Sequence, residues 1–153
     1  MKALVCEAYG PVDNLVYRDM PDPVAGPGEV LVGIKGIGVN FPDGLLVEGK
    51  YQSKPEVPFM PGGEFAGEVL ALGAGATGFK VGDRVLGWHP GCGAYAERVA
   101  VPAAALYPVS PKMSAEEAAA LLCATGTAHH ALRQRANVKA GETLVVLGAA
   151  GGT

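Results

Sequence analysis

The placement of glycine and proline constrains this chain most. It holds 23 glycines and 12 prolines in 153 residues, spread at short intervals between runs rich in Val, Ile and Leu. Glycine supplies positive-φ turns and proline pre-sets turn geometry, so this spacing punctuates short strands joined by tight turns. A linker would cluster the same residues instead. The length has room for one domain, or one domain plus a piece of another. It is enough to bury a sizeable core without a disulfide or a structural metal.

Residues 2–9 and 14–18 predict an opening hairpin, with Gly10-Pro11 starting its turn. Gly26-Pro27-Gly28-Glu29 is a second turn. The β-rich run 30–39 follows, and its glycines Gly33, Gly36 and Gly38 predict close backbone packing or a bulge. At Asn40-Phe41-Pro42-Asp43 the period changes. Asn40 suits an N-cap, Pro42 the first turn and Asp43 the positive end of a helix. A short helix ending near Gly49 is expected. After a Pro-rich loop over 54–62, residues 64–72 alternate as a half-buried strand. Val81-Gly82-Asp83 turns into another strand through Leu86, and 94–101 make a third. Together these predict an antiparallel, barrel-like β domain over roughly residues 1–110.

Then the character shifts. Ser114-Ala115-Glu116-Glu117 is a capping box, and the alanine-rich stretch after it is strong helix. A break at Thr125-Gly126-Thr127 is expected, then a second helix from Ala128 to near Ala136. Gly141-Glu142 turns into a buried strand over 143–148, which runs into Gly148-Ala149-Ala150-Gly151-Gly152. Glycines in such a turn let the backbone approach a pyrophosphate, and the helix that follows faces the negative charge. A βαβ unit needs about 30 residues or more, which the residues after Leu147 do not supply. The expectation is a cofactor site cut in half, in a chain that carries the first part of a longer protein.

Charge and cysteine usage exclude several classes. Twelve Lys and Arg against 15 Asp and Glu give a net charge of −3, which argues against nucleic acid and acidic membrane as partners. Cys6, Cys92 and Cys123 are odd in number and far apart, which fits a reducing cytoplasm. The N-terminus has an acid at its seventh position and no long apolar core, so it is not a secretory signal. No later run is long enough to span a bilayer.

Taken together, the motifs resemble one family. Gly38-Val39-Asn40-Phe41-Pro42-Asp43, Pro61-Gly62-Gly63-Glu64-Phe65-Ala66-Gly67, Gly82-Asp83-Arg84-Val85, Gly126-Thr127-Ala128 and the terminal glycine turn occur in the order of the medium-chain dehydrogenase/reductase superfamily. Within it, the chain resembles the zinc-independent quinone oxidoreductase (zeta-crystallin-like) group, N-terminal half only. The resemblance implies an α+β fold. A GroES-like antiparallel β barrel, the catalytic domain over 1–112, is followed by two helices and the first strand of a truncated Rossmann domain over 113–153. It further implies NADPH in the cleft of the full-length protein, a homodimer, and apolar surface left exposed where later strands return to the first domain.

Zinc enzymes of the superfamily bind catalytic metal at three points that correspond to Asn40, Gly63 and Cys123. Only Cys123 is an ordinary zinc ligand, and three protein ligands are the norm. Glu64 approaches zinc in some members, but Glu64 and Cys123 alone are too few. The four-cysteine structural loop is replaced here by His89-Pro90-Gly91-Cys92. The expectation is no metal. Alcohol oxidation relies on a polarised, deprotonated oxygen, whereas a quinone or conjugated enone accepts hydride with positioning and a few hydrogen bonds. The resemblance therefore implies NADPH-dependent reduction of a small-molecule quinone or enone, with the isolated chain inactive and NADPH binding weak or absent. Acrylyl-CoA or enoyl-thioester reduction is an alternative, as is a non-catalytic GroES-like interaction module.

Individual residues keep two readings each. Asn40 is a helix N-cap, and by resemblance its amide also faces the nicotinamide or the substrate carbonyl. Asp43 supports the helix start. Tyr51 borders the substrate cleft or packs half-exposed; a second family tyrosine is replaced by Leu45. The Glu64 carboxylate lies near the cleft or is structural. By the same resemblance Thr127 contacts the nicotinamide end of the cofactor, and it also suits a helix start. Cys123 is a buried small hydrophobe. His129 and His130 are adjacent on a helix and so point in different directions. The catalytic candidates are thus Asn40, Tyr51 and Glu64. Asn40, Thr127, Gly148, Ala149, Ala150, Gly151 and Gly152 are the cofactor-binding candidates.

Overall fold

The computed structural model describes residues 1–89 and 91–151. The opening hairpin pairs β1 (Lys2–Val5) with β2 (Val16–Asp19), and a 3-10 turn at Val12–Asn14 lies between them. The main sheet contains β3 (Glu29–Gly38), β4 (Glu64–Leu72), β5 (Arg84–Trp88), β6 (Arg98–Pro102) and β7 (Leu106–Pro108). Its order is β6-β3-β4-β5-β7, antiparallel throughout. Two bridges, Ala3 to Ala96 and Cys6 to Phe59, tie the ribbon to the segments beside the sheet. Strand β7 carries no signal that the sequence reading used, and β6 is shorter than the predicted 94–101.

The core forms where β-branched side chains of neighbouring strands meet on one face. Val30, Val32, Phe65, Val69, Val85, Val99, Val101 and Leu106 make up most of it. The other face is also covered at one end. There α2 (Ala115–Ala119) lays Ala118 and Ala119 on Ala66 and Leu86. For this reason the first four residues of β4 are all buried instead of alternating. The glycines of β3 are what let α2 approach. A Cβ at Gly36 would stand 2.6 Å from the Ala115 carbonyl oxygen, and one at Gly38 2.5 Å from that of Ala119. The predicted irregularity is present as well, because the β3–β4 register shifts between Ile34 and Gly36.

Helix α1 (Phe41–Val47) has Asn40 as its N-cap, and Gly49 beyond its end takes φ +67°. The Asp43 carboxylate accepts the Asn40 backbone N–H at 2.8 Å, closing the first turn. Ser114 accepts from the Glu117 N–H at 3.1 Å and Glu117 accepts from the Ser114 N–H at 2.8 Å, as the capping box predicts.

Two expectations about the last forty residues need correction. The helix break falls at Ala120 and Leu121, not at Thr125-Gly126-Thr127, and α3 (Leu122–His129) runs through that triplet. One interior glycine costs about 1 kcal/mol relative to alanine, which a helix anchored at its start tolerates. After α3 the coil widens into a π-helical turn over His130–Arg135, closed by the Ala136 N–H on the Ala131 carbonyl at 2.8 Å. The strand expected over 143–148 makes no ladder among the described residues. Leu144, Val145, Val146 and Leu147 are exposed instead, Leu147 by 92%. A strand of this kind needs neighbours to take its backbone groups, and no described strand lies beside it.

Candidate functional site

A cavity of about 950 Å³ opens between α1, the loop after it, the end of β5 and α3. Three aromatic residues, Tyr51, Trp88 and Tyr107, stand on its walls, with Pro42 and Leu46 of α1. Polar groups on the same walls are Asp43, Ser53, Lys54, His89, Thr127 and His130, together with the thiols of Cys92 and Cys123. Such a space, with aromatic and aliphatic walls and polar groups among them, suits a small planar ligand. A smaller groove of about 460 Å³ along β1 and β3 holds none of the sequence-derived site residues.

Tyr51 and Thr127, from separate elements, are brought to this one cavity. Thr127 follows Cys123 by one helical turn, so both face the same side of α3. It sits inside the helix and not at its start. Asn40 and Glu64 do not line the cavity; they lie behind it. Glu64 is 2% exposed, and its Oε2 accepts from the Asn40 side-chain amide at 2.9 Å. Its Oε1 accepts from the Cys123 backbone N–H at 2.7 Å. Asp43, also buried, takes the Tyr95 hydroxyl at 2.9 Å on the oxygen that caps Asn40. A chain of hydrogen bonds thus runs from Tyr95 through Asp43, Asn40 and Glu64 to the start of α3.

Tyr95 is the site residue that sequence reasoning missed, and a signal for it existed. Gly62 has φ +84°, and a Cβ there would lie 2.1 Å from Tyr95 Cδ1. Burial first, and then the Asp43 carboxylate, push the Tyr95 phenol well above the ordinary tyrosine value. Trp88 is a second omission. Its ring lies 3.1 Å from where a Cβ of Gly63 would be.

Three titratable groups of the cavity, His89, Cys92 and Cys123, are pushed toward their neutral forms. Burial lowers His89, whose Nδ1 accepts the Gly91 N–H at 3.0 Å, leaving its proton on Nε2. Burial raises both Cys92 and Cys123. The Asp43 carboxylate adds to both, and Glu64 adds more strongly at Cys123. Neither thiol is set up as a nucleophile, because the thiolate is the reactive form. Cys123 is half-buried and lines the cavity, where a buried small hydrophobe was expected. His129 and His130 are both exposed, and of the two His130 reaches the cavity wall.

The donor set does not fit a catalytic zinc. Gly63 has no side chain and Trp88 covers it, while the Asn40 amide is committed to Glu64. Among the described residues, no three His, Cys, Asp or Glu side chains are grouped to hold a metal ion. In the glycine turn, Gly148 has φ +71° with open space where a Cβ would be, and the Gly151 N–H closes on the Gly148 carbonyl at 2.8 Å. Ala149 and Ala150 belong to this turn. Gly152 lies outside the described residues. No described helix is long and apolar enough to cross a membrane.

Comparison with known proteins bears on this geometry. Residues 26–111, more than half of the chain, match the alcohol dehydrogenase GroES-like domain. A quinone oxidoreductase-like protein 2 homolog of Nematostella vectensis is 43% identical over 151 residues, covering 98% of this chain and 41% of the relative. The quinone oxidoreductase of Pseudomonas syringae superposes with a TM-score of 0.86 at 39% identity, over 92% of this chain and 43% of that one. The quinone oxidoreductase of Thermus thermophilus, solved also as a complex with NADPH, gives 0.79 at 38% identity, over 93% and 43%. The chain therefore spans about two fifths of the length of the curated relatives it matches. It belongs to the alcohol dehydrogenase GroES-like domain family, within the quinone oxidoreductase group of the medium-chain dehydrogenase/reductase superfamily.

Proposed function

We propose that this chain is the substrate-binding part of a metal-free, NADPH-dependent oxidoreductase that reduces a quinone or a conjugated enone. Residues 1–112 form the substrate domain, and 113–153 lead into the cofactor domain. The observation that carries this reading is the cavity itself. It has aromatic walls for a planar acceptor, while the points where a metal would be held are an amide turned to Glu64 and a glycine under Trp88.

NADPH, when bound, supplies the hydride. Thr127 and Asn40 would hold its nicotinamide end, beside Gly126, where a Cβ would meet open space. The turn at Gly148, Ala149, Ala150 and Gly151 would meet the pyrophosphate through its backbone, and Gly152 belongs to the same proposal. Tyr51, Trp88 and Tyr107 orient the ring of the acceptor and exclude water from it. Protons for the reduced oxygens are available at the wall from Tyr51, Lys54 and His89 Nε2. Orientation of this kind, not acid activation, is the main contribution asked of these residues.

The test is steady-state turnover by the intact protein: NADPH consumption with para-benzoquinone and with a conjugated enone, and NADP+ reduction with a primary alcohol. Quinone or enone turnover that survives a chelator and falls in an Asn40→Ala variant is expected. Chelator-sensitive alcohol oxidation, with stoichiometric zinc in the purified protein, would sink the reading. Turnover that ignores the Asn40 substitution would remove Asn40 from the proposed nicotinamide site. Calorimetry of NADPH against residues 1–153 alone should show little or no binding, since one turn makes only part of the site. The same reading takes the protein to be a cytoplasmic homodimer, which light scattering checks for assembly.

A second reading rests on Lys54. It is exposed on the cavity wall and makes no ion pair among the described residues. A cation there suits the phosphates of an enoyl thioester of coenzyme A. Crotonyl-CoA turnover well above that of quinones, lost in Lys54→Met, would favour it.

A further inference from the structure

Helix α3 starts without a cap of its own. Its N-cap position is Leu121, which offers no side-chain acceptor. The acceptor arrives from β4, where Glu64 Oε1 takes the Cys123 N–H of the first turn at 2.7 Å. The unpaired amides and positive dipole of a helix start favour an anion at this spot. The second oxygen, Oε2, takes the Asn40 side-chain amide at 2.9 Å. Gly38 makes room for the carboxylate, since a Cβ there would stand 2.3 Å from Oε2. One buried group is thus bonded to two elements that flank the cavity.

We propose that Glu64 is a positioning residue for hydride transfer, which rests on the reduction reading above. It clamps Asn40 at the start of α1 to the start of α3. That sets the Asn40 amide and the Thr127 hydroxyl, one helical turn beyond Cys123, in a fixed relation. Neither Glu64 nor Asn40 lines the cavity, so the clamp reaches its wall through Thr127. A carboxylate is required because both of its partners are donors. A glutamine there keeps the size of the side chain but must turn its NH2 toward one of them, setting donor against donor.

That logic supplies its own repair. In the paired variant Glu64→Gln with Asn40→Asp, the amide introduced at position 64 donates to the carboxylate introduced at position 40. Its oxygen still accepts from Cys123, and the buried charge is conserved. The measurement is kcat and KM of the intact protein with NADPH and para-benzoquinone, well below the Tm of each variant. Amide exchange at Cys123 and Thr127 is followed alongside. Glu64→Gln should lower kcat per folded molecule roughly tenfold or more, with the KM for NADPH little changed, because misplacement by an ångström carries that scale of loss. The Cys123 amide should lose protection. The paired variant should recover most of the Cys123 protection, while kcat stays low because the Asn40 amide is itself replaced.

A residue that only stabilises the fold would lower Tm and leave kcat per folded molecule intact; that result overturns the proposal. A paired variant whose Cys123 amide is no better protected than in Glu64→Gln also overturns it. Should Glu64→Gln fail to fold, the paired variant is compared with Asn40→Asp alone, which faces two carboxylates and should be the worse. If even the unaltered protein reduces no quinone, the reduction reading fails by itself. Exchange then decides the clamp: protection lost in Glu64→Gln and regained in the pair upholds it, and unchanged protection sinks it.

Discussion

The two ends of this molecule differ in where their partners lie along the chain. In the β region every strand finds an antiparallel neighbour inside residues 2–108, and the inward side chains are sealed, with Phe65 and Val30 at 0% exposure. Residues after α3 carry an apolar run of similar composition, yet Val145 is 75% exposed and makes no ladder. Composition alone does not decide burial. Antiparallel strands close through short turns, whereas a strand of the parallel type waits for partners distant in sequence. The cavity sits at the junction, with walls from the self-sufficient part and from α3.

Substitutions at the two ends test this contrast. Phe65→Ala removes the largest fully buried side chain of the sheet, and should cost about 3–5 kcal/mol by chemical denaturation. Val145→Ala should stay within about 0.5 kcal/mol in the 153-residue chain, as a substitution at an exposed position does. A comparable loss at both positions would break the comparison.

The same change at two glycines should have opposite signs. Gly38→Ala brings a Cβ to 2.3 Å from Glu64 Oε2 and 2.5 Å from the Ala119 carbonyl oxygen. Since α2 must move, a loss of about 1–3 kcal/mol is expected. Gly126→Ala meets nothing within 4 Å and lies in α3. It should raise stability by about 0.8–1 kcal/mol through helix propensity. It should also slow quinone reduction, because it adds bulk to the cavity wall. A stabilised variant with full activity would remove Gly126 from the proposed nicotinamide pocket.

These glycines also mark what the sequence made legible. Local chemistry was readable: the N-cap at Asn40 with an acid at Asp43, the capping box of Ser114 with Glu117, the close packing at Gly36 and Gly38, and the hairpin at the start. Motif order carried the family. Long-range partnerships were not readable. Glu64 caps a helix 59 residues away, so the start of α3 at Leu122 had no local signature, and the Thr125-Gly126-Thr127 triplet looked like the break. Tyr95 reaches Asp43 from 52 residues away, and only the glycine it packs against hinted at it. The placement of Glu64 behind the cavity follows from the same bonds.

Tyr95 gives a smaller effect at the edge of the site. Tyr95→Phe removes the hydroxyl that donates to Asp43 while leaving the Asn40 N–H on that carboxylate. The loss should be about 1 kcal/mol, the net worth of one hydrogen bond. Its pH dependence has a definite sign. The folded phenol titrates above the ordinary tyrosine value, so its contribution is complete below that value. It is lost as pH rises beyond it. Denaturation midpoints of the unaltered protein should therefore fall in alkali more steeply than those of the Phe variant.

His89 gives the smallest effect, with the opposite slope. Burial holds its folded value below that of an exposed imidazole. As pH falls past the ordinary histidine value of about 6.5, the unfolded chain takes up a proton that the folded chain still refuses. Stability from this group is present above that value and declines until the folded imidazole protonates as well. Protonation of Nδ1 would also end its acceptance of the Gly91 N–H. His89→Asn should flatten stability against pH between mild acid and neutrality and leave the alkaline limb to Tyr95. If the slope persists in His89→Asn, the proton is being taken up elsewhere, and His89 is not held neutral on the cavity wall.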